Sequence, residues 1–309
     1  MKVVFLGTPD FAVNSLNALV NSRHKVLAVV TQPDRPVGRK GEITPSPVKV
    51  CALKNGLKVL QYDKISKEGV EDLKSLAPDI MITCAFGQIL SEDVLSIAPH
   101  GVINVHGSLL PKYRGAAPIQ YAVLNGEKET GVTIMQTERG LDCGDIISVE
   151  KTEIGDNETA GDLFERLSDI GADLLVKTLD RIESGDVMPV KQDESLATVV
   201  KTIKKSDALI DWSKDSSALH NFVRGMNPWP VAYTFFKGKI LKIFKAESVI
   251  DRSSSIFGEV LRCDDELVIA CGDGALKILE LQLEGSKRMS ASDFLRGRRL
   301  SVGDVLKNG

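Results

Sequence analysis

KVVFLGTPDFAVNSLNALVNSRHKVLAVVTQ (Lys2–Gln32) decides the fold class. Its two ends, KVVFLG (Lys2–Gly7) and KVLAVVTQ (Lys25–Gln32), are short, apolar and rich in β-branched residues. Such segments suit strands buried on both faces. Between them Gly7 and Pro9 punctuate the chain, and Phe11, Leu16, Leu19 and Val20 then recur at helical spacing. Short, wholly apolar strands separated by helices indicate a parallel sheet covered on both faces. The texture continues through DIMITCAF (Asp79–Phe86) and GVINVH (Gly101–His106), read as third and fourth strands. Pro118–Asn125 reads as a helix with Pro118 in its first turn. TGVTIMQTE (Thr130–Glu138) and DIISVEKTEI (Asp145–Ile154) read as two more strands. Thr159 caps a long helix to about Glu183, with Leu163, Leu167, Ile170, Leu174 and Leu179 on one face. The expected class is α/β, with a doubly wound, mostly parallel sheet over residues 1–184.

The pattern weakens across Ser184–Ser206, and the polar SGDVMPVKQDES segment suggests a linker over residues 185–206. Beyond it, a helix over Ser216–Gly225 precedes five closely spaced strands: Asn227–Phe236, Lys239–Val249, Gly258–Cys263, Glu266–Cys271 and Ala275–Gly285. Asp264–Asp265 and Gly272–Asp273–Gly274 are hairpin turns in this reading. Residues 207–309 are therefore expected to form a small OB-like β-barrel.

Hydrophobic residues make up 43% of the 309 and charged residues 26%, which excludes wholesale disorder and collagen. No apolar run approaches the roughly 18–20 residues of a membrane-spanning helix. The N-terminus has neither a signal-peptide nor a transit-peptide pattern. The five cysteines (Cys51, Cys84, Cys143, Cys263, Cys271) are odd in number, and none stands in a metal-binding spacing. These features place the chain in reducing cytoplasm and predict no metal. The net charge of −3 is uneven. Residues 1–200 carry 21 Lys+Arg and 28 Asp+Glu, whereas residues 201–309 carry 18 and 14. The second part is the one that could attract a polyanion.

A dinucleotide site is poorly supported, because Gly7 is followed by Thr8, Pro9, Asp10, Phe11 and Ala12 rather than by a G-x-G-x-x-G pattern. The densest chemical signal is GVINVHGSLLPKYRGAAPIQ (Gly101–Gln120). Asn104 and His106 are two apart on a strand, so both side chains share a face at its carboxyl end. Doubly wound sheets bind ligands there. ERGLDCGDI (Glu138–Ile146) is a second candidate, with Asp142 and Asp145 between glycines. It works as a site only if a carboxylate folds back onto His106; otherwise it is a turn. His24, His100 and His220 read as structural or solvated.

SLLPKYRGAAPIQ (Ser108–Gln120), preceded by Asn104 and His106 and followed by Asp142, resembles the signature of the folate-dependent formyltransferases. GTPDFA (Gly7–Ala12), TQPDRPVGR (Thr31–Arg39), PSPVKV (Pro45–Val50), AFGQIL (Ala85–Leu90) and NPWPVAYT (Asn227–Thr234) extend the resemblance across both expected domains. It implies a Rossmann-like catalytic domain and a formyl group moved from 10-formyltetrahydrofolate to the amino group of methionyl initiator tRNA. A small amine or nucleotide acceptor is the alternative. It further implies that Asn104, His106 and Asp142 are catalytic. Asn104 would donate to the oxyanion, His106 would donate a second hydrogen bond or move protons, and Asp142 would take the amine's proton or orient His106. Phe86, Gly87, Gln88, Ile89, Leu90, Ser108, Leu109, Leu110 and Pro111 would line the folate pocket.

The same resemblance places the loop carrying Arg35, Arg39 and Lys40 near the tRNA acceptor arm. Lys237, Lys239, Lys242, Lys245, Lys287, Arg288, Arg296, Arg298 and Arg299 are further basic candidates in the last third. On one strand Lys237 and Lys239 would share a face, which Lys242 and Lys245 cannot both join if the strand is regular. Two other classes remain open on the residues alone. One is a nucleic-acid-binding barrel fused to an inactive α/β domain, and the other an NAD-linked oxidoreductase.

Overall fold

The computed structural model describes residues 1–37, 41–251, 254–297 and 300–307. The chain divides into two compact units. One comprises residues 1–118, 129–153 and 164–200, and the other residues 119–128, 154–163 and 201–309.

The first unit is built on a seven-stranded sheet. In spatial order its strands are Ile146–Glu153, Glu129–Gln136, Val102–His106, Ile80–Cys84, Lys2–Gly7, Lys25–Thr31 and Val59–Gln61. The last five are mutually parallel. Read by chain position they run 3-2-1-4-5 across the sheet, the doubly wound order. Glu129–Gln136 and Ile146–Glu153 add antiparallel at the edge. The parallel strands read as unbroken apolar runs because both faces are covered. On one face Val4, Leu6, Val30, Met81 and Val102 pack with Tyr62, Ile65, Leu73 and Val94. On the other, Phe11 of the helix Phe11–Val20 packs at a tilt of 59° against Phe164 of the helix Ala160–Ser184, with ring centroids 5.2 Å apart. Thr159 caps that long helix as expected, its hydroxyl accepting from Asp162 N at 3.2 Å. Each buried aliphatic side chain contributes about 1.5–3 kcal/mol.

The strand order places its reversal between Lys2–Gly7 and Ile80–Cys84. At their carboxyl ends the Thr8 hydroxyl donates to the Phe86 carbonyl at 3.0 Å. A doubly wound sheet opens its ligand crevice at this point. The polar stretch after the long helix is ordered against the same unit. Val190 pairs with Ile146, and Val199–Val200 pair in parallel with Arg114–Gly115.

The second unit is an antiparallel curled sheet. Its strands run Tyr233–Phe236, Lys239–Val249, Ala275–Leu283, Leu267–Ala270 and Val260–Arg262, with Met289–Ser290 added beside Ala275–Leu283. The C-terminal stretch bridges both open edges, Lys307 to Phe235 and Val305 to Glu259. This pairing satisfies edges that would otherwise be exposed, and the arrangement is OB-like. Trp212, buried at its centre, donates through Nε1 to the Thr234 hydroxyl at 3.0 Å.

Two strand details depart from regularity. Lys237 and Lys239 do not lie on one strand. Lys237 (φ +49°) and Gly238 (φ +76°) form the two-residue turn between Tyr233–Phe236 and Lys239–Val249. Two successive positive φ values match the twist of a hairpin. Lys242 and Lys245 do share a face, because the register shifts between Ile243 and Ala246. The bulge moves the buried positions from Leu241 and Ile243 to Ala246.

Among the described residues no helix is long and apolar enough to cross a membrane. Ile82, fully buried in the central strand Ile80–Cys84, tests the core. Ile82→Ala should destabilise the first unit by about 2–5 kcal/mol in urea unfolding. Ile43→Ala, at a 74% exposed position, should stay within about 0.5 kcal/mol.

Candidate active site

The structure brings Asn104, His106 and Asp142 together. Asn104 and His106 stand on the strand Val102–His106, beside the crevice strands. Asp142 comes from the turn after Glu129–Gln136, which folds back over the sheet end. Its Oδ1 lies 3.5 Å from Asn104 Nδ2, and its Oδ2 lies 3.7 Å from His106 Nδ1.

Hydrogen-bond chemistry fixes the orientation of each group. The Thr83 hydroxyl lies 2.9 Å from Asn104 Oδ1 and donates to it, so the Asn104 amide turns its N–H₂ toward Asp142. His106 Nε2 stands 2.9 Å from the Tyr113 carbonyl, which can only accept. Nε2 therefore carries a proton, and Nδ1 is the nitrogen left for exchange. The imidazole is 5% exposed, so it is shielded from competing water. At 3.7 Å the Asp142 carboxylate faces Nδ1 from just beyond direct hydrogen-bond distance.

Asp142 itself sits at φ +48°, a strained conformation for a residue with a side chain. Its Oδ2 accepts the Gly115 N–H at 2.8 Å. Gly115 needs to be glycine on two counts. Its φ is +110°, and a Cβ there would meet the Val200 carbonyl oxygen at 2.3 Å. Asp145 stays outside this cluster; its carbonyl accepts from Gln136 N. Cys143 holds the turn locally, with Sγ 3.8 Å from the Arg139 carbonyl. Cys84, at the neighbouring strand end, is fully buried and its thiol is pushed up to about 12 by burial, which leaves it a packed thiol at neutral pH.

The segments expected to line a folate pocket flank the same strand ends. Ala85 and Gly87 both take positive φ, and the chain turns sharply out of Ile80–Cys84. Phe86 is buried and Leu90 packs against the same cluster, but Ile89 is 93% exposed. The Gln88 side chain is spent on the scaffold, accepting from Ile65 N and donating to the Tyr62 carbonyl. The Ser108 hydroxyl likewise donates to the Lys112 carbonyl. Thr133 anchors the loop Ser108–Pro111. Its hydroxyl donates to the Ser108 carbonyl and accepts from Leu110 N. Leu110 is buried.

Sequence reasoning missed Thr83, Thr133 and Gly115. A lone hydroxyl inside the otherwise apolar strand Ile80–Cys84 was the available signal for Thr83, whereas Thr133 shares its strand with Thr130 and stood out by no such sign.

Of the basic candidates, Arg35 is exposed on a two-stranded hairpin, Arg35–Val37 with Glu42–Thr44. Arg39, Lys40, Arg298 and Arg299 lie outside the described residues. The root of the hairpin is braced by Lys49, whose Nζ donates to Asp34 at 2.6 Å and to Gln61 at 2.8 Å. In the second unit a 320 Å³ cavity is lined by His220, Arg224, Lys245 and Arg288, with Asp162 the one acid. Burial and the nearby Arg224 hold the His220 imidazole below its usual range. The Arg288 guanidinium lies 4.3 Å over the Phe244 ring and pairs with Glu280. Lys237 pairs with Asp304 and Arg296 with Asp293.

Comparison with known proteins bears on the family of the chain. The formyl transferase family matches residues 1–179, and the formyl transferase C-terminal domain matches residues 202–299. A methionyl-tRNA formyltransferase of Citrifermentans bemidjiense is 49% identical over 308 residues, 99% of this chain and 96% of that protein. One from Lachnospira eligens is 48% identical over 314 residues, 99% of each. Among solved structures, an N-formyltransferase of Helicobacter canadensis in complex with folinic acid and dTDP-3-aminofucose has a TM-score of 0.69. It covers 94% of this chain and 100% of its own at 23% identity, a likeness that speaks to fold.

Gly115→Ala probes the support of Asp142. It forces a left-handed backbone on alanine and a clash with Val200, so stability should fall by about 1–3 kcal/mol. An unchanged urea midpoint would mean that the Arg114–Gly115 pairing is slack.

Proposed function

Because the chain belongs to the methionyl-tRNA formyltransferase family, we propose that it transfers the formyl group of 10-formyltetrahydrofolate to the amino group of methionyl initiator tRNA. What supports the reading is the meeting of one amide, one imidazole and one carboxylate at the crevice of the sheet.

The reaction sets the tasks. The aminoacyl nitrogen attacks the formyl carbon, a C–N bond forms, and the carbonyl oxygen becomes an oxyanion. Collapse then breaks the bond from that carbon to N10 of the folate. One proton leaves the attacking nitrogen and one arrives at N10. Asn104 Nδ2–H₂ is the neutral donor for the oxyanion, worth about 3–4 kcal/mol in the transition state. His106 Nδ1, which faces Asp142, is the second donor when it carries a proton. Asp142 takes the proton of the attacking amine, directly or through water.

The folate lies along Phe86–Leu90 and Ser108–Pro111 in this reading. Both segments offer backbone donors and acceptors between apolar side chains, and the exposed Ile89 provides a wall that is otherwise costly to leave in water. Arg35, Arg39 and Lys40 contact the acceptor arm, and the basic residues of the second unit contact phosphates further along the tRNA.

The deciding experiment incubates the protein with 10-formyltetrahydrofolate and charged initiator tRNA, with glycinamide ribonucleotide and uncharged tRNA as parallel acceptors. Formylmethionyl-tRNA is the expected product; turnover of the small amine alone would overturn the assignment. Asn104→Ala, His106→Ala and Asp142→Ala should each lower kcat by at least about tenfold to a hundredfold with the thermal midpoint preserved. The KM for tRNA should rise steeply between 50 and 200 mM salt. Arg35→Ala should weaken tRNA binding and reduce the slope of log K against log salt by about one.

A further inference from the structure

Gln192 lies in the polar stretch after the long helix, yet it is only 5% exposed. All four hydrogen-bonding positions of its amide are used. Oε1 accepts twice from Arg114, from Nε at 3.0 Å and from Nη2 at 2.8 Å. Nε2 donates to the Asp142 carbonyl at 2.9 Å and to the Gly144 carbonyl at 2.8 Å. The opposite amide orientation would set an oxygen against two carbonyls and an N–H₂ against a guanidinium, so the donors alone settle it. Arg114 is itself buried and is held by two hydrogen bonds to Glu194, at 2.9 and 2.8 Å.

Next to Arg114 in the chain, Gly115 supplies the N–H that binds Asp142 Oδ2. The strained Asp142 turn is therefore gripped twice. Gln192 holds its backbone carbonyls, and Gly115 holds its carboxylate. Both grips converge on Arg114.

We propose that Gln192 is a positioning residue for Asp142. Its amide pins the Asp142–Gly144 backbone and so sets where the carboxylate stands relative to Asn104 and His106. The inference rests on the reading of Asp142 as the group that handles the amine's proton. Arg114 and Glu194 support Gln192 and touch nothing that reacts.

The test is a double-mutant cycle on formyl transfer to charged initiator tRNA. Gln192→Glu keeps oxygens for Arg114 and loses both N–H groups. It sets an oxygen against two carbonyls, so its thermal midpoint should fall by several degrees while the chain still folds at the assay temperature. Its kcat should fall on the order of tenfold to a hundredfold, as expected of a misplaced reacting group, and the KM values for folate and tRNA should change little. Added to Asp142→Ala, the same substitution should cost almost nothing more, because the group it positions is gone. Gln192→Met, which keeps bulk and loses both polar ends, gives a second route to the same cycle should the glutamate variant fail to fold.

Near-normal kcat in Gln192→Glu, an effect confined to KM, or a loss that multiplies in full onto Asp142→Ala would each overturn the proposal. The two readings fail separately. If Asp142→Ala turns over normally, the role of Asp142 falls and Gln192 falls with it. If Asp142→Ala is slow and Gln192→Glu is not, only the role of Gln192 falls.

Discussion

The Asp142 carboxylate is the negative charge on which the arrangement of the site depends. It occupies a backbone conformation that costs about 1–3 kcal/mol, and it stays there because a glycine N–H and a buried glutamine amide hold it. Its two oxygens then have different duties. One lies toward the Asn104 amide and the other toward both the Gly115 N–H and His106 Nδ1. Move the turn by an ångström and His106 Nδ1 loses the carboxylate that faces it. The Tyr113 carbonyl completes the constraint, because it obliges His106 to keep a proton on Nε2.

The sheet makes this meeting possible. Strands in the order 3-2-1-4-5 leave a crevice at one reversal, and Val102–His106 ends one strand away from it. Glu129–Gln136 runs antiparallel beside that strand, with Thr133 opposite His106 and Gln136 opposite Ile103. The turn that follows therefore runs back along the strand to bring Asp142 to Asn104 and His106. Thr133, on the same added strand, fastens the Ser108–Pro111 loop. That strand thus both fastens the loop and leads into the Asp142 turn.

Much of this was legible in the residues. Unbroken β-branched runs separated by helical periodicity named four of the five parallel strands to within two residues, because strands buried on both faces have no polar alternation to mislead; Val59–Gln61, at three residues, was too short to show. Asn104 and His106 were visible as a pair, since a spacing of two on a strand leaves no choice of face. Asp142 was visible only as one acid of a turn, and the resemblance rather than the spacing singled it out over Asp145. Lys237 was misplaced because a two-residue hairpin turn can begin on a lysine as readily as on a more usual turn residue. Gln192 was invisible, since a glutamine between a lysine and an aspartate reads as solvated surface.

The sequence alone determined most of the longer strands and helices, that a crevice opens at the carboxyl ends of the parallel strands, and that an amide and an imidazole face it. Those properties follow from local periodicity and from the chirality of the chain. Only the tertiary structure decided which carboxylate joins them, which nitrogen of the imidazole is free, and what holds the turn in place. Each of these depends on hydrogen bonds between residues tens of positions apart, such as Asp142 with Gly115 and Gln192 with Arg114. No local pattern encodes a pairing made across that distance.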